Sequence, residues 1–172
     1  DNIKKVEELE DKYEAYQFYL DAVKRDGVPY DLITKALPTI EGEVNNILSQ
    51  LVDFQMLFEM DGKNINNYIV YDDDNVWPLE LSSGMERFIS SLAMRIGLIN
   101  ISNLPAANFL AIDEGWGTMD SDNLNSVYSL FQYLKTQFQF TMIVSHIDSM
   151  RDAVDTLLEI KKEDNFSNVS FD

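Results

Sequence analysis

The sequence predicts an α/β fold in which parallel strands are flanked by helices and joined to a group of antiparallel strands. Three observations carry this. Beyond residue 84, helical spacing alternates with two short apolar runs, "NFLAID" (108–113) and "FTMIVS" (140–145), the pattern of α/β layering. Before it, "DFQMLFEM" (53–60) and "NNYIVYD" (66–72) flank the turn "DGKN", which predicts an antiparallel hairpin. The first 26 residues form a separate helical stripe.

Taken in order, Ile3, Val6, Leu9, Tyr13, Tyr16, Leu20 and Val23 recur at alternating intervals of three and four. That spacing fits a coiled-coil segment and equally an amphipathic helix lying on a core. Asp26-Gly27 is expected to end this helix, with Gly27 in the left-handed position and Pro29 discouraging continuation. A second helix is predicted over 38–51, with Pro38 in its first turn and Leu37, Ile40, Val44, Ile47, Leu48 and Leu51 on its apolar side. "VWPLEL" (76–81) reads as a short edge strand, where Pro78 is tolerated. Residues 84–101 read as a helix with Phe88, Leu92, Arg95, Ile96 and Ile99 near one face. The continuous apolar run of 108–113 predicts a parallel strand buried on both faces. A helix over 121–137, the strand 140–145, a short helix around 147–154 and a closing hairpin (156–162 with 168–171) complete the chain.

Length and composition bound the function. A chain of 172 residues with 45% hydrophobic content suits one domain with a real core and room for an appendage. No stretch approaches the roughly 20 apolar residues of a membrane helix, so no membrane is expected as a partner. The absence of cysteine excludes disulfides and Cys-based zinc sites within this chain. A net charge of −17 opposes nucleic-acid binding at long range. DNA contact therefore needs a metal, another chain or local basic spots such as Lys4-Lys5, Lys24-Arg25 and Lys161-Lys162, which also read as plain solvated charges. The sequence starts at Asp1 inside a helical pattern without a start signal, and the expectation is a piece of a longer polypeptide.

Four stretches carry chemistry. "FLAIDE" ends an apolar strand on Asp113 and Glu114, adjacent acids whose ionisation is mutually disfavoured unless something compensates. A magnesium ion at Asp113 with Glu114 polarising an attacking water would compensate; acids at a strand edge are also common without any such role. "SSGMER" (82–87) opens a helix and offers backbone N–H groups to an anion. A plain cap by Ser82 or Ser83, with Glu86 completing a capping box, explains the same residues. "IVSHID" places His146, the one histidine, just after a strand, where ligands gather in α/β sheets; it also reads as a strand-end histidine satisfied by backbone. "GWGTMD" (115–120) is a glycine-permitted turn in which Asp120 or Ser121 reads equally as an N-cap.

In this order the four stretches resemble the C-terminal lobe of ABC-type ATPase heads. "SSGMER", a long helix, "FLAIDEGWGTMD", a further helix and "IVSH" match the signature motif, Walker B, D-loop and switch histidine. Within that class "DEGWGTMD" is most similar to the SbcC/Rad family of DNA double-strand-break repair ATPases, which are related to SMC proteins. The specific motifs span roughly residues 80–160. The resemblance implies a C-terminal half of a P-loop ABC ATPase head over 28–172, with 1–27 as the end of a coiled-coil arm. It implies ATP and Mg2+ as cofactors. Asp113 would support the metal, and Glu114 and His146 would be catalytic, activating water and sensing the γ-phosphate. Ser83 and Gly84 would touch the γ-phosphate of a nucleotide on the opposite head, with Met85 and Glu86 in the same motif, and Asp120 would organise the dimer interface.

Two departures stand out. Where the family's signature reads Leu-Ser-Gly-Gly-Glu, Met85 takes the second glycine position; alignment through Leu81-Ser82 instead leaves the key serine open between Ser82 and Ser83, with Ser83 preferred. No G-x-x-x-x-G-K-[ST] occurs, so nothing here cradles phosphates. The resemblance therefore implies half a head, inactive alone. Its partners would be an N-terminal Walker A lobe of the same protein, a second head in a homodimer, an SbcD-like nuclease and double-stranded DNA. The location implied is intracellular, in cytoplasm or nucleus. An SMC-type DNA-organising clamp without nuclease and a non-enzymatic interaction module are the competing readings.

Overall fold

The computed structural model describes residues 2–62, 64–114 and 124–171. The chain opens on helix α1 (Asn2–Val23), whose apolar stripe of Ile3, Val6, Leu9, Tyr13, Tyr16, Leu20 and Val23 is exposed throughout. The stripe therefore does not lie on the core of this chain. Helix α2 (Val28–Leu48) follows after a short turn.

The α1–α2 junction corrects two expectations. Gly27 is not left-handed: its φ is −93° and it is the residue before α2. Glycine is needed for closeness, since a Cβ there would lie 2.4 Å from the Ala22 carbonyl oxygen and 2.6 Å from that of Asp21. Helix α2 starts ten residues earlier than the predicted 38. Pro29 sits in its first turn, where a missing N–H leaves no bond unmade. Pro38 is inside the helix. Both it and Thr34, whose carbonyl loses its usual partner, are exposed, so water can serve that carbonyl.

Strands β1 (Gln55–Asp61), β2 (Asn64–Asp72) and β3 (Asn75–Pro78) form an antiparallel meander in the order β1-β2-β3. The predicted hairpin is present, with Gln55 opposite Val70 and Asp61 opposite Asn64. "VWPLEL" divides into β3 and one turn of 3-10 helix, Leu79–Leu81. β1 is an edge strand, and α2 closes that edge with side chains. Asn45 both donates to the Met56 carbonyl (2.9 Å) and accepts from its N–H (2.8 Å), while Glu41 accepts the Phe58 N–H (2.9 Å). Backbone groups that would otherwise face water or another strand are thus satisfied within the chain.

Helix α3 (Gly84–Ile101) has the limits read from the sequence. Its buried face is Met85, Ile89, Leu92, Ala93 and Ile96. That face is rotated from the expected one: Arg95 is exposed, and Phe88 and Ile99 are only half-buried. It packs on α2, and Gly97 permits the approach, since a Cβ there would come within 3.2 Å of Val44 Cγ2. Val44, Ile47, Leu48, Met56, Ile69, Ile89 and Ile96 are the fully enclosed part of this core.

Strands β4 (Phe109–Asp113) and β5 (Phe140–Val144) pair in parallel, joined by a crossover containing α4 (Leu124–Gln137). Val127, Leu130, Phe131 and Leu134, spaced three and four apart, are the buried stripe of α4. The expectation that β4 is buried on both faces is not met. Leu110, Ile112, Thr141 and Ile143 face inward, while Phe109, Ala111, Phe140, Met142 and Val144 are exposed on the other face. One crossover helix covers one side of a two-stranded sheet, and no described element lies on the other. The 3-10 helix Asp148–Ala153 leads to the hairpin of β6 (Leu158–Glu163) and β7 (Phe166–Phe171). Among the described residues no helix is long and apolar enough to cross a membrane.

Candidate functional site

The carboxyl ends of β4 and β5 bring together three of the residues singled out in the sequence. Asp113 is the last residue of β4, opposite Val144 in the parallel register. The Glu114 N–H extends the pairing by one bond, to the Val144 carbonyl at 3.1 Å. Glu114 then leaves the strand with φ of 59°, a left-handed conformation that non-glycine residues adopt at a cost of about 1–2 kcal/mol. This turn breaks the strand's alternation, so the two adjacent acids need not crowd one another. The Glu114 Oε1 lies 3.4 Å from His146 Nδ1, and both side chains are mostly exposed, 66% and 74%. A carboxylate and an imidazole, one from each of two neighbouring parallel strands, thus meet where α/β sheets bind ligands.

The second group lies at the start of α3. Ser83 is the N-cap: its Oγ accepts the Glu86 N–H at 3.2 Å, and Glu86 Oε2 accepts the Ser83 N–H at 2.5 Å. The capping box is therefore real. Ser82 is differently engaged, donating its hydroxyl to the Leu79 carbonyl at 2.7 Å. Gly84 opens the helix, and Met85 turns its side chain into the core, which accommodates the methionine.

Two grooves flank this capping box. One, of about 490 Å³, is lined by Asp53, Phe54, Tyr71, Ser83, Met85 and Glu86 among others. The other is lined by Tyr71, Trp77, Leu81, Ser82, Ser83 and Glu86. Neither includes a residue of β4 or β5, so the structure does not bring the two groups together. Asp120 and the rest of "GWGTMD" lie outside the described residues.

Tyr71 is the residue that sequence reasoning missed. Its hydroxyl donates to Glu86 Oε1. Burial, then the bond to Glu86 and the nearby Glu86 and Asp53 charges, push its phenol up to about 12. At Glu86, burial acts upward but is outweighed by the hydrogen bonds from Tyr71 and Ser83, leaving the carboxyl below its ordinary range. The two residues are fifteen positions apart on different elements, and no spacing rule links them.

Among the described residues no group of three or more His, Cys, Asp and Glu side chains is arranged to hold a metal. Asp113 offers one carboxylate, which suits a magnesium ion that takes one or two carboxylates and completes its shell with phosphates and water. Of the basic spots, Lys24 pairs with Asp21 and Lys161 with Glu159.

Comparison with solved structures decides the architecture. A head of an SMC ATPase, solved in work on ATP-driven dimerisation and DNA-stimulated activation, superposes with a TM-score of 0.67 at 16% identity, over 82% of this chain and 88% of that one. The Smc head of Pyrococcus furiosus, carrying an extended coiled coil and bound to the C-terminal domain of ScpA, gives 0.68 at 18% identity, over 98% of this chain and 42% of that one. The fold is that of the C-terminal lobe of an SMC/SbcC-like ABC ATPase head. No protein-family model matches the chain. In sequence, this SMC-like lobe is 31% identical over 93 residues, 52% of the chain, to the SbcC component of the nuclease SbcCD of Staphylococcus aureus. It is 35% identical over 170 residues, 90% of the chain, to an uncharacterised protein of Acanthamoeba polyphaga mimivirus. The chain spans 9% of the first relative's length and 13% of the second's.

Proposed function

We propose that this chain is the C-terminal half of an ATP-hydrolysing head that dimerises on ATP and gates a nuclease in DNA double-strand-break processing and recombination. The observation that carries the reading is the meeting of Glu114 and His146 at the carboxyl ends of β4 and β5. In this role Glu114 takes up charge from the attacking water, and His146 bridges it to the γ-phosphate. A protonated imidazole donates from both nitrogens, so one ring can face the carboxylate and a phosphate oxygen together. Asp113 would hold Mg2+, which when bound neutralises charge on the phosphate oxygens.

The remaining assignments extend this reading. Residues 1–27 are the end of a coiled-coil arm and 28–172 the lobe itself. The exposed apolar face of Phe109, Phe140, Met142 and Val144 offers an N-terminal Walker A lobe a surface on the same sheet. Ser83, Gly84, Met85 and Glu86 act on the nucleotide of the opposite head, and Asp120 acts at the dimer interface. ATP closes two heads, hydrolysis opens them, and the arm carries the change to DNA and to an SbcD-like nuclease inside the cell. The likeness in sequence to SbcC favours the nuclease complex. The likeness in fold to Smc heads favours the second reading, a DNA-organising clamp with the same head chemistry.

The test is Glu114→Gln in a head assembled with a Walker A lobe. The variant is expected to bind ATP and dimerise but turn over about 10²–10⁴ times more slowly, the usual loss of a general base. Undiminished turnover would sink the assignment. ATP-dependent cleavage of DNA by a co-purifying nuclease separates the two readings.

A further inference from the structure

The Glu86 carboxylate connects two elements that the sequence keeps apart. Its Oε2 accepts the Ser83 N–H at the start of α3, and its Oε1 accepts the Tyr71 hydroxyl from β2. Tyr71 is anchored in turn. Its ring lies 5.7 Å from that of Phe54 at an angle of 58°, and Phe54 is buried in the core. Tyr71, Ser83 and Glu86 line both grooves at this end of the molecule.

A capping glutamate at an exposed helix start has three side-chain torsions to lose, and one bond to a backbone N–H restrains them only partly. A second, charge-assisted bond from a hydroxyl fixed to the core removes most of the remaining freedom. The reciprocal bond from the Glu86 N–H to Ser83 Oγ, at 3.2 Å, carries that order to the serine hydroxyl.

We propose that Tyr71 is a positioning residue which, through Glu86, fixes the Ser83 hydroxyl in the orientation it presents to the nucleotide of an opposing head. The functional half of this inference rests on the role given to Ser83 above; the relay itself does not. The phenol, pushed up to about 12, keeps its proton through the neutral range and so remains a donor.

Packing against Phe54 is the competing role for Tyr71, and Tyr71→Phe separates the two because it keeps the ring and removes the donor. Hydrogen exchange of the Ser83 amide, read by NMR on this chain, reports the relay. Tyr71→Phe is expected to speed that exchange roughly tenfold, on the scale of a lost hydrogen bond to a charged group, with the amides of β1 and α2 unchanged. In the assembled head it is expected to raise several-fold the ATP needed for half-maximal dimerisation, with nucleotide binding to one head unaffected. Unchanged Ser83 exchange overturns the proposal, as does altered exchange with an unaltered ATP response. A change seen only in Tyr71→Leu assigns the residue to packing and also overturns it. If the wild-type head does not dimerise on ATP, the role of Ser83 falls instead, and the amide measurement alone decides the relay.

Discussion

The two halves of this molecule satisfy themselves to different degrees. Around α2, α3 and the β1–β3 meander, apolar faces meet apolar faces: Val44, Leu48 and Ile69 are fully enclosed, and even the edge of β1 is closed by Asn45 and Glu41. Around β4 and β5 one sheet face is covered by α4 and the other is open, with Phe109 at 48% and Phe140 at 58% exposure. The capping box belongs to the first half, and the Glu114–His146 pair to the second. Order at the start of α3 is thus built into this chain, whereas the acid end sits on a sheet with an uncovered apolar face.

The difference has its largest consequence for stability. Ile69→Ala, in the enclosed half, is expected to cost about 2–5 kcal/mol, because the cavity cannot collapse between β1, α2 and α3. Met142→Thr, on the open face of β5, is expected to cost under about 0.5 kcal/mol, since the side chain is already largely in water. Urea unfolding of both variants checks the contrast. Similar losses would mean that the open face is buried in solution, for instance against a second copy.

A smaller effect tests the acid end itself. Glu114 occupies a left-handed conformation at φ of 59°, which glycine adopts without penalty. Glu114→Gly is therefore expected to raise stability by about 1 kcal/mol, while abolishing hydrolysis in an assembled head. A residue that costs stability and is needed for turnover marks a functional site more firmly than exposure does. A loss of stability in Glu114→Gly would show that the side chain supports the fold instead.

Particular residues show how far the sequence could be read. The limits of α3 were legible because a capping box and a three-four apolar rhythm mark the same start. The start of α2 was not, because Pro29 has two meanings, helix stop and first-turn residue, and only the packing of Leu37 and Val44 separates them. The run "NFLAID" states that β4 has apolar side chains on both faces; it does not state what covers them. The order of the motifs foretold that Asp113, Glu114 and His146 belong together, but not the turn at Glu114 that points it to the imidazole. Tyr71 carried no signal, since an aromatic in a hairpin strand is ordinary and its contact with Glu86 exists only after β2 and α3 have folded together.

The smallest effect lies in the pH dependence of that contact. Burial acts upward on Glu86, yet the bonds from Tyr71 and Ser83 hold it below the ordinary carboxylate range in the folded state. A carboxyl depressed on folding contributes stability above its unfolded pKa, near 4.3, and loses it as pH falls through the lower folded value. The difference in urea midpoint between the wild type and Glu86→Gln is therefore expected to be constant above about pH 5.5 and to shrink below about pH 4. Tyr71 gives the opposite limb. Its phenol is raised to about 12, so its contribution is complete below its unfolded pKa near 10 and is lost as pH rises through about 12. Tyr71→Phe should flatten the alkaline limb and also weaken the acid one, because the same bond sets both. If Tyr71→Phe left the acid limb as in the wild type, Ser83 alone would hold Glu86, and the coupling between β2 and α3 would have no energetic content.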